Sequence, residues 1–241
     1  FRLRYRAYRS RNFIEYRDDQ QCRDWLDDEP NNRIFGVYLN GDLVSSIRIH
    51  LLERPGQQSA SMLVFPDILG PKLAAGYRMI DSSRFVVDPD REGENHLLHY
   101  VTMRIAVLAC VHHRADYSLS IVRPQHGAFY RRYFGFEAWG EGRSFPGLAF
   151  PVNVYSADCA AVHDKVLGRL PFLESLASER RLLFDREIGK RSCYSVRSTA
   201  RIAVEAMGRR NAAAAAAILP AVPPLADTST GEWEAGLQPS L

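Results

Sequence analysis

A mixed α/β fold, with a central sheet flanked by helices and a helical C-terminal extension, is what this sequence predicts. Two observations carry that expectation. Asn40-Gly41 lies between two strand-like runs, and this pair takes the positive φ angles of a tight hairpin turn. Further on, a strand-like run (79–87), a stretch with helical spacing (95–113) and another strand-like run (117–122) follow in succession. That alternation lays a helix against a sheet.

The elements follow in chain order. Residues 1–13 set Leu3, Tyr5, Ala7 and Tyr8 among arginines, the pattern of a helix with a polar outer face. The polar stretch 17–32 reads as a loop with a short helical turn, and the hairpin strands are 34–39 and 43–51, with Arg48 inside the second. A loop rich in Gly, Pro and Ala is expected before the strand at 79–87, which Asp88-Pro89-Asp90 closes. The next helix opens at Asn95 or Glu94 and runs to about His113, with Leu98, Val101, Ile105 and Leu108 as its buried stripe. Pro124 begins a short helix through Phe134, and Gly135 stops it by accepting a left-handed backbone. Residues 145–155 supply the last strand or two, around Pro146-Gly147 and Pro151. Asp158 or Ser156 caps a helix up to Gly168, and Pro171 starts another ending near Phe184. A further helix is expected over 194–217, where six consecutive alanines favour it. The expected organisation is a core (1–157), a helical extension (158–185), a basic segment (186–217) and a disordered tail (218–241).

Bulk properties exclude several functions. A formal net charge of +3 gives no argument for nucleic acid, and the basic stretch after Arg186 lacks the interleaved aromatics of a stacking platform. Cys22, Cys110, Cys159 and Cys193 form no CxxC pair, so neither a zinc site nor a disulfide framework is expected, and a reducing cytoplasm is the expected location. No apolar run approaches the ~20 residues of a membrane span. His96-x-x-His99 and His112-His113 have no Cys or carboxylate set beside them to complete a metal site. No Gly-x-Ser-x-Gly or Cys/His nucleophile motif points to a covalent acyl-enzyme.

Five short motifs are more specific. The run from Ala128 to Glu137, with Tyr130-Arg131-Arg132-Tyr133-Phe134-Gly135-Phe136 inside it, resembles the GNAT segment in which a short helix ends in Gly-Phe beside the donor's pantetheine arm. Arg4-x-x-Ala7-Tyr8 is similar to the Arg-x-x-Val-Phe opening of acyl-homoserine-lactone synthases. Asp24-Trp25-Leu26-Asp27 resembles their Asp-x-x-Asp, Arg48 their hairpin arginine, and Asp81-Ser82-Ser83-Arg84-Phe85 their Glu-x-Ser-Arg-Phe strand. Together the motifs cover roughly residues 1–155. Phe13 replaces the synthases' tryptophan, Asp81 their glutamate and Tyr8 their phenylalanine. These departures favour a sister group sharing the GNAT fold, the FeeM-type N-acyl amino acid synthases. The GNAT phosphate loop is only faint in Arg91-Glu92-Gly93-Glu94-Asn95, which weakens a coenzyme A reading.

The resemblance implies an N-acyltransferase that moves a long-chain fatty acyl group from an acyl carrier protein onto the amine of an amino acid. Its donor is an acyl-phosphopantetheine thioester, with no permanently bound cofactor, no metal and no nucleic acid. The implied catalytic residues are Asp81, as base for the attacking amine, and Arg84. Residues three apart on a regular strand face opposite ways, so these two share a cleft only across a bulge. A splay at this strand would free a backbone N–H for the thioester oxyanion. Arg48, Asp24, Asp27, Ser83 and Tyr130 are the implied substrate-binding residues, an arginine gripping the acceptor's carboxylate. The same charges also read as a structural network tying the N-terminal segment to the sheet, and Arg4 as part of it. Tyr130 lies five residues before Gly135 where the family's acid lies four, which suits a packing aromatic. Arg91, Arg131 and Arg132, with Lys165, are the implied contacts to donor or carrier protein. The rivals are a lactone synthase using S-adenosylmethionine, an acetyl-coenzyme A transferase, and a non-catalytic GNAT-like binding module.

Overall fold

A computed structural model describes residues 1–91, 97–185 and 195–203. The chain opens with α1 (Arg2–Arg9), which buries Leu3, Tyr5 and Ala7 and also Arg4. After a loop and a 3-10 turn at Trp25–Asp28, β1 (Asn32–Leu39) and β2 (Asp42–Leu52) form the hairpin. Its turn has Asn40 at φ 52° and Gly41 at φ 95°, with Leu39 paired to Asp42.

β3 (Met79–Val87) lies antiparallel to β2, and α4 (Leu98–His113) then returns the chain so that β4 (Tyr117–Val122) pairs with β3 in parallel. α5 (Gly127–Phe134) ends at Gly135, whose φ of 68° is the left-handed stop expected of it. β5 (Glu137–Ser144) and β6 (Pro151–Asp158) complete the sheet, followed by α6 (Cys159–Arg169) and α7 (Ala177–Phe184). Among the described residues the sheet has six strands in the order β1-β2-β3-β4-β6-β5. It is a mixed sheet flanked by helices, the architecture that the sequence led one to expect.

The helices divide between the two faces. On one face Ile47, Ile49, Ile80 and Tyr155 meet Tyr100, Met103, Phe134 and Val166, from α4, α5 and α6. On the other, Leu52, Met79, Leu119 and Val154 meet Met62, Phe65, Leu69 and Leu73. These last four residues belong to α2 (Ala60–Val64) and α3 (Pro66–Ala74), or to the junction between them, where a loop was expected. The helices form because Ser59 caps α2 through the Met62 N–H, Pro66 occupies the first position of α3, and the sheet beneath buries Phe65 and Leu69 completely.

Three further expectations need correction. Residues 145–155, expected to supply the last strand or two, hold only the first part of β6; β5 lies before them, and Phe145 is in the connection. β5 is an edge strand, exposed along most of its length and interrupted by two register shifts, so no alternation marks it in the sequence. The helix expected from Pro171 is a 3-10 turn, Pro171–Leu173, followed by the separate α7. In α4, Val101 is exposed and Ile105 half-buried, while Tyr100, Thr102, Met103, Arg104 and Ala106 are buried. The helix is covered on two sides, by the sheet and by the C-terminal extension.

That extension is held by a polar lock. Arg104 donates to both carboxylate oxygens of Glu179 (2.5 and 2.9 Å) and to the carbonyls of Phe172 and Glu174. Glu179 also accepts from the backbone N–H and hydroxyl of Thr199. Asp158 caps α6 by accepting from Ala161 N at 2.9 Å. The start of α4 near Asn95, most of the helix expected over 194–217 and the tail 218–241 lie outside the described residues. Among the described residues no helix is long and apolar enough to cross a membrane.

Candidate active site

Two irregularities in β3 build the site. The first is a bulge. Ser46 of β2 pairs with Val86 while Arg48 pairs with Ser83, so β3 spends an extra residue at Arg84–Phe85. Arg84 sits there at φ 52°, a left-handed conformation for which a non-glycine residue pays in strain. The bulge returns Arg84 to the face occupied by Ser83, where a regular strand would have sent it to the opposite side.

The second is a split. The parallel β3–β4 ladder runs from Met79–Tyr117 to Ser82–Ser120 and stops, although β4 continues paired with β6 to Val122. At the last rung the Ser82 and Ser120 hydroxyls lie 2.6 Å apart, and Ser82 Oγ donates to the Leu119 carbonyl. Beyond it the two strands part, which leaves backbone groups without a ladder partner facing the gap.

Beside this split lies an ionic cluster. The 3-10 turn at Trp25–Asp28 carries a capping box between Asp24 and Asp27, and Leu26 anchors it in the core. Both carboxylates therefore face the sheet. Asp24 accepts from Arg48 (2.5 Å) and twice from Arg84 (2.6 and 3.1 Å). Asp27 accepts from Arg4 (2.8 Å) and Arg48 (3.0 Å), and Arg48 Nε reaches Ser83 Oγ at 3.1 Å. The structure thus brings together the expected cluster of Asp24, Asp27, Arg48 and Arg84, and Arg4 and Ser83 join it. Burial pushes the Asp24 carboxyl up, but Arg48 and Arg84 outweigh it and hold it below the usual carboxylate range. Asp27 is held down in the same way by Arg4 and Arg48.

Three guanidiniums face two carboxylates, and the surplus is visible in the hydrogen bonding. Arg4 Nε and Nη2 and Arg48 Nη2 are buried and have no partner among the described residues. The Asp24 and Arg84 side chains are 21% and 10% exposed, so they form the open end of the cluster. Tyr8 and Phe145 flank the Arg84 guanidinium, their ring centres 5.5 and 5.6 Å from it.

Asp81 occupies the same face but is fully enclosed. Its oxygens accept from the Ser61 N–H and the Ser61 hydroxyl, each at 2.8 Å, which ties β3 to the start of α2. Burial raises its carboxyl above the ordinary value, against hydrogen bonds from Ser59 and Ser61 and the charge of Arg48. Tyr130 is buried among the rings of Phe129 and Phe136, and its hydroxyl meets Ser120 at the last rung of the β3–β4 ladder. Arg91 bonds Asp42 at the hairpin end. Arg131 and Arg132 are exposed on α5, and the Arg169 guanidinium donates to the Arg132 carbonyl. Among the described residues no group of three or more His, Cys, Asp or Glu is placed to hold a metal.

Two neighbours escaped the sequence reading. Ser61 lay in what read as a loop. His50 stands two residues beyond Arg48 on β2, so strand periodicity alone puts it on the same face. It is wholly buried, with Nε2 3.1 Å from the Leu26 carbonyl, so that nitrogen carries the proton. Burial and then the Arg48 charge push its pKa down to about 4. The folded state therefore binds a proton at His50 less readily than the unfolded chain does. This contribution to stability is complete above pH ~6.5 and is lost as the pH falls towards 4, at no more than ~1.4 kcal/mol per pH unit. Urea titrations between pH 7.5 and 5 are expected to show that slope reduced in His50→Gln; an unchanged slope would rule this contribution out.

Comparison with known proteins agrees with this fold. The solved structure of FeeM, an N-acyl amino acid synthase from uncultured soil microbes, superposes with a TM-score of 0.57 at 15% identity, covering 69% of this chain and 92% of that one. A CoA-dependent acyl-homoserine lactone synthase, BjaI, with SAM and isopentyl-CoA, gives a TM-score of 0.50 at 17% identity over 69% of this chain and 79% of that one. The AHL synthase LasI gives 0.50 at 12% identity over 79% of this chain and 88% of that one. At such identities the likeness speaks for the fold. No curated protein matches the sequence. The family model described as N-acyl amino acid synthase FeeM matches residues 1–158, which contain both the split and the whole ionic cluster. The chain belongs to the FeeM family of N-acyl amino acid synthases and is an acyltransferase.

Proposed function

We propose that this acyltransferase moves a long-chain fatty acyl group from an acyl carrier protein thioester to the amine of an amino acid whose carboxylate binds at the arginine cluster. The observation that carries the acceptor reading is the charge count of the cluster, three guanidiniums on two carboxylates, with Arg84 and Asp24 at its open end. A carboxylate added beside Arg84 balances the charge of the cluster, and arginine holds carboxylates in bidentate fashion.

The amine nitrogen attacks the thioester carbonyl carbon at the split. The oxyanion that forms is stabilised by backbone N–H groups released where β3 and β4 part. The C–S bond then breaks, and the leaving thiolate is protonated by the proton that the amine gave up to Asp81. Asp81 takes the proton from the amine, and its raised pKa makes it a stronger base than a solvated carboxylate. Because both its oxygens are engaged by Ser61, the proton reaches it through the Ser61 hydroxyl or a water. Tyr130 and Ser120 support the donor side of the split. Arg131, Arg132, Lys165 and Arg169 form an exposed basic patch on α5 and α6 that suits an acidic carrier protein, whereas Arg91 is engaged with the hairpin.

Lipid extracts of cells expressing the chain are expected to contain new long-chain N-acyl amino acids by mass spectrometry. The purified protein is expected to use acyl carrier protein thioesters in preference to the matching coenzyme A thioesters. Short-chain products alone would overturn the acyl assignment, and equal use of both thioesters the carrier-protein assignment. A homoserine lactone product would overturn the acceptor.

A further inference from the structure

At the end of β4 remote from the split, on the face covered by α4 and α6, lies a cavity of about 630 Å³. Its walls include Val107, Val111, Phe136 and Val166, and two cysteines, Cys110 and Cys159. Cys110 is in the last turns of α4 and Cys159 is the first residue of α6. The backbone holds them together from both sides. Ala115 N donates to the Cys110 carbonyl at 3.0 Å, and Cys159 N donates to the carbonyl of the next residue, Asp116, at 2.9 Å. Cys110 is buried in the main core, and Cys159 packs against that core half-buried at the cavity wall. The two thiols are neighbours. Nothing in the acyl-transfer reaction uses them.

We propose that Cys110 and Cys159 are a dithiol modification site, which hydrogen peroxide entering the cavity converts to a disulfide. One of the two sulfurs attacks a peroxide oxygen, the O–O bond breaks, and the first water leaves with that thiol's proton. The other sulfur then displaces the hydroxyl of that sulfenic acid, the S–S bond forms, and the second water carries away the second thiol's proton. The dithiol loses two electrons and two protons, and the peroxide is reduced to two waters.

The bridge fastens the end of α4 to the start of α6. It also closes one wall of the cavity.

The test is peptide mapping of the full chain. The purified protein is treated with hydrogen peroxide, its remaining thiols are alkylated, and the digest is read by mass spectrometry. The expected product is one cross-linked peptide pair joining Cys110 to Cys159, reversed by dithiothreitol and absent from Cys110→Ser and Cys159→Ser. Recovery of both cysteines in alkylated form, a sulfinic acid at Cys110 without a cross-link, or a bridge to Cys22 or Cys193 would overturn the proposal. A protein carrying Cys22→Ser and Cys193→Ser keeps the test independent of how the other variants fold. Its two remaining thiols are expected to disappear together on oxidation; loss of one alone would likewise overturn the pairing.

Discussion

Replacement of Asp81 by asparagine is expected to lower turnover by roughly 10²–10⁴-fold while the melting temperature stays near that of the parent. The reasoning rests on shape. Asparagine has the same volume, its carbonyl oxygen accepts from the Ser61 N–H, and its amide donates to the Ser61 hydroxyl in place of accepting from it. The tie between β3 and α2 therefore survives, and what disappears is the capacity to take a proton. Asp81→Ala does not separate these roles, because it leaves the buried Ser61 groups unpaired and weakens the fold at the same time. Turnover of Asp81→Asn within a few-fold of the parent would reduce Asp81 to positioning α2. The acceptor's KM is the companion measurement, since a residue acting on the proton lowers kcat more than it changes KM.

The second large effect is on stability. Arg48→Met is expected to destabilise the protein by about 3–5 kcal/mol in chemical denaturation. Arg48 is fully buried and answers Asp24, Asp27 and Ser83 at once. Methionine fills much of the space but leaves two carboxylates with one fewer counter-charge. Arg48→Lys is not expected to restore the parent value, because a single ammonium does not span three partners as a planar guanidinium does. Combining Arg48→Met with Asp24→Asn is expected to recover part of the loss, since that removes a charge left behind. A loss below ~1 kcal/mol for Arg48→Met would mean that water already shares the cluster.

The parts of this fold legible in the sequence are those with strong local rules. Asn40-Gly41 specified the hairpin turn and Gly135 the end of α5, because both places need a backbone that most residues resist. The ionic cluster was legible as a set of motifs scattered from Arg4 to Arg84, although only the fold brings them within 3.1 Å of one another. The bulge could be anticipated from spacing: Asp81 and Arg84 had to share a face. α2 and α3 were hidden by Gly70, Pro66 and Pro71, whose composition reads as loop, and the apolar residues between them show their purpose only against the sheet. β5 was hidden for the opposite reason. Its residues face solvent on an edge, so burial imposes no period on them. The meeting of Cys110 and Cys159 is a purely tertiary fact that no spacing announces.

The lock between Arg104 and Glu179 has a consequence for where this protein ends as a working unit. The family match stops at residue 158, yet an arginine well inside it is 6% exposed only because Phe172, Glu174 and Glu179 close over it. A version trimmed to the family boundary would uncork that cation and strip one flank of α4 of its cladding. The appended helices are therefore a stopper for the catalytic body, and shortening the chain at that seam forfeits solidity in the half that remains.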